Sequence, residues 1–295
     1  MDTPLARRTF LASVGVLGAL TATSTSAPTA QALANAQQAQ SAGLVLDLVK
    51  KLLAEIGRDV YKGLAVFVVP GEDAYSRAQG TESTGPGGLD TRTPDFLIES
   101  LDNYVPLPDQ LATPLAQALA TGLGDIGIKI PGLPNLPLID LSSLDKVLKW
   151  LLRNDETIPL STLIALLLNT QAVRVDPSSA VGVFQSPFSR LSFEKKAQVF
   201  ELLEGPDSNL VKMIDSKLPE PVRGSVSGLL QFVSGALLEF SAFGTFSEWT
   251  TFDADKLGVT SRPVGWDLAK YDAGSVDGWN ELKGYYQDRK KVSDR

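Results

Sequence analysis

The stretch that decides the fold is GSVSGLLQFVSGALLEFSAFGTF, residues 224–246. It contains one charged residue, Glu239, and its apolar residues recur at helical spacing on more than one face. A helix that is apolar on several sides is typical of the centre of a protein. The pattern therefore predicts a central, buried helix. Its uncharged part, 224–238, is shorter than the ~20 residues that cross a bilayer, so we expect no stable membrane span in the mature chain.

Helical periodicity extends outward from this stretch in both directions. Residues 44–60 place leucine, isoleucine and valine on one face and charges on the other, and the apolar run continues to Val69 before Pro70 ends it. Shorter helices are predicted from Phe96 to Tyr104 and after three helix-start signals. Those signals are Ser143, Pro159 and Ser192. No strand alternation is sustained, so the predicted fold class is mainly α.

The predicted organisation is a single helical domain with long irregular loops. Residues 1–32 form a signal segment, 33–43 a flexible linker and 44–295 the helical domain. Within this domain, 107–182 is interpreted as an insertion and 253–295 as an irregular, aromatic-rich tail. Two loops are expected: the Gly-, Ser- and Thr-rich residues 71–94, and residues 124–138, which are apolar but interrupted by three prolines.

The N-terminus resembles a twin-arginine export signal. Arg7 and Arg8 precede Phe10 and Leu11, and a mildly apolar run follows that is too short to span a membrane. Ala30 and Ala32 form an A-x-A cleavage site. We therefore expect recognition by the twin-arginine translocation machinery and export to the periplasm or cell envelope. The alternative is an ordinary secretory signal with an incidental arginine pair.

Two residue types are missing from the composition: the chain has no cysteine and no histidine. Their absence excludes Cys/His zinc sites, Cys-ligated iron–sulfur clusters, disulfides and Ser-His-Asp catalysis. The net charge of −7 makes nucleic acid an unlikely class of partner, because nucleic acid is bound by basic patches. Carboxylate, lysine, tyrosine and serine chemistry remain. The sequence provides no cofactor-binding, metal-binding or catalytic motif.

Two acidic features are candidates for a functional site, but each has a simpler structural explanation. Glu239 would be a general acid or base if its helix were buried, but a partnered structural carboxylate is the more common role of such a residue. Residues 253–258 begin like a calcium loop, yet Leu257 stands where a third oxygen ligand is required. We therefore predict no calcium site.

Aromatic residues concentrate near the C-terminus, where residues 240–286 contain three of the four tryptophans. Tryptophan, tyrosine and arginine are enriched in interfaces, although such rings also close hydrophobic cores. We assign Trp266 a structural role because it follows Pro263. The candidate docking residues are Trp279, Tyr271, Tyr285, Tyr286 and Arg262.

Three further segments carry a family resemblance. They are Val69-Pro-Gly-Glu-Asp with Gly85-Pro-Gly-Gly, then Leu191-Ser-Phe-Glu-Lys-Lys, then Pro263-Val-Gly-Trp-Asp-Leu followed by Tyr271. In this order, and behind a twin-arginine signal, they resemble the gluconate 2-dehydrogenase subunit 3 family. Residues 107–182 and the tail after Tyr271 depart from the family pattern.

The resemblance implies a small exported subunit that accompanies a flavin-dependent dehydrogenase and contributes no catalytic residues. FAD would then belong to the partner, an oxidoreductase of the glucose-methanol-choline type. The leading hypothesis is a non-catalytic subunit that binds, stabilises and co-exports this flavoprotein. The alternatives are a stand-alone envelope binding protein, with a pocket formed by residues 124–138 and the aromatic tail, and a carboxylate-based hydrolase.

Overall fold

The computed structural model describes residues 30–105, 158–205, 208–216 and 223–271, with a few single positions between them. Side chains are described from residue 46 onward, except at 208–210 and 213. The chain divides into two compact units, with the boundary after Leu48. In the first unit the described residues, from 30 to 48, are helical. The predicted mainly α fold class is confirmed. Short stretches of irregular backbone and one two-stranded hairpin complete the described part.

The helices are α1 (Ala30–Val68), α2 (Ala74–Gln79), α3 (Thr93–Asn103), α4 (Leu160–Val175), α5 (Phe193–Glu204), α6 (Ser208–Asp215), α7 (Val226–Phe246) and α8 (Val264–Ala269). The hairpin pairs β1 (Phe252–Asp253) with β2 (Gly258–Val259) in antiparallel register. Two 3-10 turns, Pro177–Ala180 and Phe188–Arg190, lie between α4 and α5.

Helix α1 begins earlier than the sequence predicts. Residues 33–43, interpreted as a flexible linker, are helical in the structure. The segment is rich in alanine and glutamine and contains no proline, and both residue types favour helix. The apolar face predicted for residues 44–60 is confirmed from Val49 onward, where Val49, Leu53 and Val60 are buried.

The centre of the fold is α4, which is buried on all sides from Ser161 to Val173. It packs against α3, α5 and both 3-10 turns. The Tyr61 hydroxyl donates a hydrogen bond of 2.6 Å to the Ser161 carbonyl, which joins α1 to the start of α4. The sequence predicts this helix after Pro159 but assigns the central position to residues 224–246.

The prediction that residues 224–246 form a central, buried helix is therefore wrong, because only one face of α7 is buried. Val226, Leu230 and Leu237 pack inward against α3, α5 and α8, whereas Phe232 and Phe243 on the opposite face are 69% and 62% exposed. Among the described residues, α7 is also the one helix that is long and apolar enough to cross a membrane. Core helices of soluble proteins meet the same criterion of length and composition.

The residues between α1 and α3, predicted as a loop, include α2 and pack against the core. The backbones of Gly71 and Gly87 approach so closely that a Cβ on Gly71 would lie 2.7 Å from the Gly87 nitrogen. Asp73 caps α2 by accepting from the backbone nitrogens of Tyr75 and Ser76. At the far end the hydroxyls of Thr93 and Thr245 are 2.8 Å apart, which links α3 to α7.

Candidate partner-docking surface

Exposed apolar side chains are concentrated on α7. Leu229, Phe232, Phe243 and Phe246 are between 38% and 69% exposed. At 3.6 residues per turn their positions span roughly a 100° arc around the helix axis, so they share one side of the helix. We call this side the α7 face, and it also contains Glu239. An apolar patch of this kind on a protein surface marks a site of interaction.

An apolar groove runs along one edge of the α7 face. Its cavity of about 210 Å³ lies between α3, α4 and α7. The groove is lined only by apolar side chains, among them Leu101, Leu163, Leu167, Leu229, Val233 and Phe240. This volume is below the ~300–1,000 Å³ of most small-molecule sites. The groove therefore suits an inserted side chain better than a whole ligand.

A cluster of C-terminal residues adjoins the end of α7. The Arg262 guanidinium lies 5.8 Å from the ring centroid of Trp266, and the rings of Trp266 and Tyr271 are 5.2 Å apart at 75°. The Trp266 Nε1 donates a 2.7 Å hydrogen bond to the Glu248 carboxylate. Gly265 packs so tightly that a Cβ there would lie 2.7 Å from the Thr245 carbonyl oxygen. The cluster is thus anchored on α7.

The structure brings together two of the predicted docking residues, Arg262 and Tyr271. Both are exposed, Tyr271 by 52%, and Arg262 donates to the Tyr271 carbonyl oxygen at 3.0 Å. The other three, Trp279, Tyr285 and Tyr286, lie outside the described residues. So do the export-signal residues Arg7, Arg8, Phe10 and Leu11, whereas the cleavage residues Ala30 and Ala32 lie in the first turn of α1.

The two acidic candidates, Glu239 and Asp253, have different surroundings in the structure. Glu239 is exposed, which contradicts the condition under which it would act as a buried acid. Asp253 accepts from the backbone nitrogens of Asp255 and Lys256 and pairs with the Lys256 ammonium at 2.8 Å. The side-chain hydrogen bond from Lys256 lowers the pKa of Asp253. Among the described residues, no group of three acidic side chains is placed to hold a metal ion.

A polar cleft of about 290 Å³ lies beside α1, and two carboxylates from α1 line it. These are Glu55 and Asp59, one helical turn apart. Both oxygens of Asp59 are occupied: Oδ1 accepts from the Tyr75 hydroxyl at 2.6 Å and Oδ2 from the Ser186 nitrogen at 2.9 Å. Burial, followed by the hydrogen bond to Asp59, raises the pKa of Tyr75 well above its usual range.

Asp59 is therefore a structural acceptor, because it holds the loop before α5 against α1. A carboxylate with both oxygens engaged by protein donors is poorly placed to exchange a proton with a substrate. Arg58, on the rim of the cleft, is paired with Asp95. The cleft thus lacks the free pair of carboxylates that a glycosidase-type hydrolase needs.

The most unusual polar residue is Lys196, which the sequence reasoning missed. Its side chain is fully buried, and Nζ donates to the Gly63 carbonyl oxygen at 2.9 Å and to Gln79 Oε1 at 2.7 Å. Burial lowers the pKa of Lys196 to about 7. A signal was present in the sequence, since Lys196 lies three residues from both Phe193 and Val199 on the apolar stripe of α5.

No protein family model matches the chain, and no curated protein or solved structure is significantly similar to it. The surfaces of the chain itself are therefore the guide to its function. Of these, the α7 face with its groove combines exposed aromatic side chains with an apolar cavity. Asp59 in the polar cleft and the buried Lys196 are both engaged by hydrogen bonds within the fold.

Proposed function

We propose that this chain is a non-catalytic helical subunit that binds, stabilises and co-exports a flavin-dependent oxidoreductase of the glucose-methanol-choline type. One observation carries the proposal: the exposed aromatic α7 face lies beside an apolar groove and ends at the Arg262–Trp266–Tyr271 cluster. Large, rigid aromatic side chains flanking a small apolar groove are the usual energetic centre of a protein interface.

The residues that carry the family resemblance support this proposal through their positions. Gly71 and Gly87 of the first segment meet backbone to backbone, and Lys196 of the second reaches Gly63 in α1. Gly265 of the third packs on Thr245, whose hydroxyl lies beside that of Thr93. Each segment thus contains a position where close packing allows few residue types. Such positions are expected to keep their residues among proteins that share a fold. A twin-arginine signal supports the proposal too, because that route exports proteins already folded around a cofactor.

The test is to purify the tagged mature protein from its own cells and record the absorption spectrum. A flavin spectrum, with a second polypeptide in stoichiometric amount, is the expected result. Replacing Phe243 with serine should weaken the complex by about tenfold or more, while the exposed control Val183→Ser should leave it unchanged. The proposal is overturned if no flavoprotein is retained by the wild-type chain.

Co-export is tested separately by replacing Arg7 and Arg8 with lysine. This variant should stay in the cytoplasm with a normal melting temperature, because the signal lies outside the helical domain. The flavoprotein should remain in the cytoplasm with it. Export of the partner in this background would show that the partner carries its own signal, and the co-export part of the proposal would be wrong.

The groove also provides a test of the second candidate, a stand-alone envelope binding protein, for which its volume of about 210 Å³ is small. In that case the purified chain should bind an apolar dye stoichiometrically, and the dye should be displaced by a small apolar ligand. Replacing Leu167 by phenylalanine, which fills the groove, should abolish binding. A chain that retains a flavoprotein but takes up no dye excludes this candidate.

A further inference from the structure

We infer that the partner surface covering the α7 face carries an arginine or lysine that pairs with Glu239. The inference rests on the proposed function and extends it to the chemistry of the partner. Glu239 is the only charged residue of α7, and it lies two helical turns from both Phe232 and Phe246 and one turn from Phe243.

Glu239 is exposed and has no hydrogen-bond or ion-pair partner in the described part of the chain. Water solvates its carboxylate in the free protein. A partner that covers the surrounding aromatic side chains removes this water. An ionised carboxylate buried without a compensating charge is strongly unfavourable, so a partner that covers this face must supply a cation.

The Glu239 carboxylate also disfavours two other occupants of the α7 face, a membrane and a second copy of this chain. Insertion of the α7 face into a membrane would place an unpaired carboxylate in hydrocarbon, which lipids cannot compensate. A symmetric dimer through this face would bring the α7 faces of two copies together, and each offers only a carboxylate. The net charge of −7 also disfavours self-association and favours a basic partner surface.

The test measures affinity for the co-purified partner with two substitutions. Glu239→Lys should weaken binding by ~30-fold or more because it sets two cations against each other, and Glu239→Gln by about tenfold. The matched control is Glu55→Lys, which reverses the charge of another exposed glutamate in the middle of a helix. All three variants should melt like the wild type, because neither carboxylate has a partner in the described part of the fold.

The partner cation is located by replacing Phe243 with photoreactive p-benzoylphenylalanine and sequencing the cross-linked peptide. An arginine or lysine in or beside this peptide, whose change to glutamate restores binding of the Glu239→Lys variant, is the expected result. The inference is overturned if Glu239→Lys binds the partner like the wild type, or if the cross-link joins two copies of this chain. It is also overturned if the α7 face binds membranes. In that case the wild type binds vesicles of phosphatidylcholine and phosphatidylglycerol, and Phe243→Asp does not.

The outcomes separate this inference from the proposed function. If the charge swap restores binding to a partner that contains no flavin, the inference stands and the proposed function fails. If a flavoprotein is retained but Glu239→Lys has no effect on its affinity, the proposed function stands and the inference fails.

Discussion

The amine of Lys196 donates a 2.9 Å hydrogen bond to the carbonyl oxygen of Gly63, in the interior of the protein. With Gln79 as its second acceptor, Lys196 connects α5, α1 and α2 through one buried side chain. A neutral amine has two N–H groups, which matches these two acceptors. The pKa of about 7 means that the neutral form becomes the main one just above neutral pH.

This relationship predicts a pH dependence of stability. The pKa of Lys196 is about 7 in the folded protein, where burial lowers it, against an ordinary 10.5. Between these values the unfolded chain binds more protons, so the free energy of unfolding should rise with pH, by up to ~1.4 kcal/mol per unit. Below about pH 7 the unfavourable contribution is constant. Urea unfolding from pH 6 to about 10 measures this slope.

The control compares two adjacent lysines. Lys196→Met should remove this part of the slope, whereas Lys195→Met should retain it, because Lys195 is half-exposed and pairs with Asp176. Identical slopes in the wild type and in Lys196→Met would contradict a buried neutral amine.

A pair of glycines in α1 tests how closely the loop before α5 approaches this helix. A Cβ on Gly63 would lie 2.5 Å from Ser189 Oγ and 3.0 Å from Ser189 Cα, so Gly63→Ala should cost ~1–3 kcal/mol. Gly57 is also buried, but its nearest neighbour would be the Ala165 Cβ at 3.8 Å. Gly57→Ala should therefore stabilise the helix by ~0.5–1 kcal/mol. Thermal melts that show equal effects would refute the close approach.

The two faces of α7 predict opposite results for similar truncations. Leu237 is 1% exposed, and Leu237→Ala should cost ~2–5 kcal/mol because it leaves a cavity. Phe232 is 69% exposed, and Phe232→Ala should change the stability of the free subunit by less than ~1 kcal/mol. A large loss at Phe232, measured by chemical denaturation, would mean that the α7 face is covered within the subunit itself.

Two tryptophans separate folding from docking. Trp266 is half-buried and hydrogen-bonded to Glu248, so Trp266→Ala should destabilise the free subunit by ~3 kcal/mol. Trp279, which lies outside the described residues, is predicted to dock. Trp279→Ala should leave the melting temperature of the free subunit unchanged and weaken the complex by ~2 kcal/mol or more. A Trp279→Ala protein that melts early and binds normally when folded would reverse this assignment.

The sequence by itself determined five of the eight described helices and several of their ends. Periodicity identified α1, α3, α4, α5 and α7, and start signals placed two of the boundaries, at Pro159 and at Ser192, whose hydroxyl accepts from the Lys195 nitrogen. These features are local, since they depend on side chains within one or two turns of each other. The absence of cysteine and histidine likewise limits the available chemistry without reference to any structure.

Only the tertiary structure decided which apolar helix lies at the centre. Helix α7 is the more uniformly apolar by sequence, yet α4 is the buried one, although it contains Asn169, Thr170 and Gln171. Thr170 buries its hydroxyl at low cost because it donates to the Leu166 carbonyl oxygen. Asn169 Oδ1 accepts from the Phe188 nitrogen, while Asn169 Nδ2 has no hydrogen-bond partner. The burial of Lys196 depends in the same way on acceptors 117 and 133 residues away. Burial is set by the elements that pack on a face, which local periodicity does not specify.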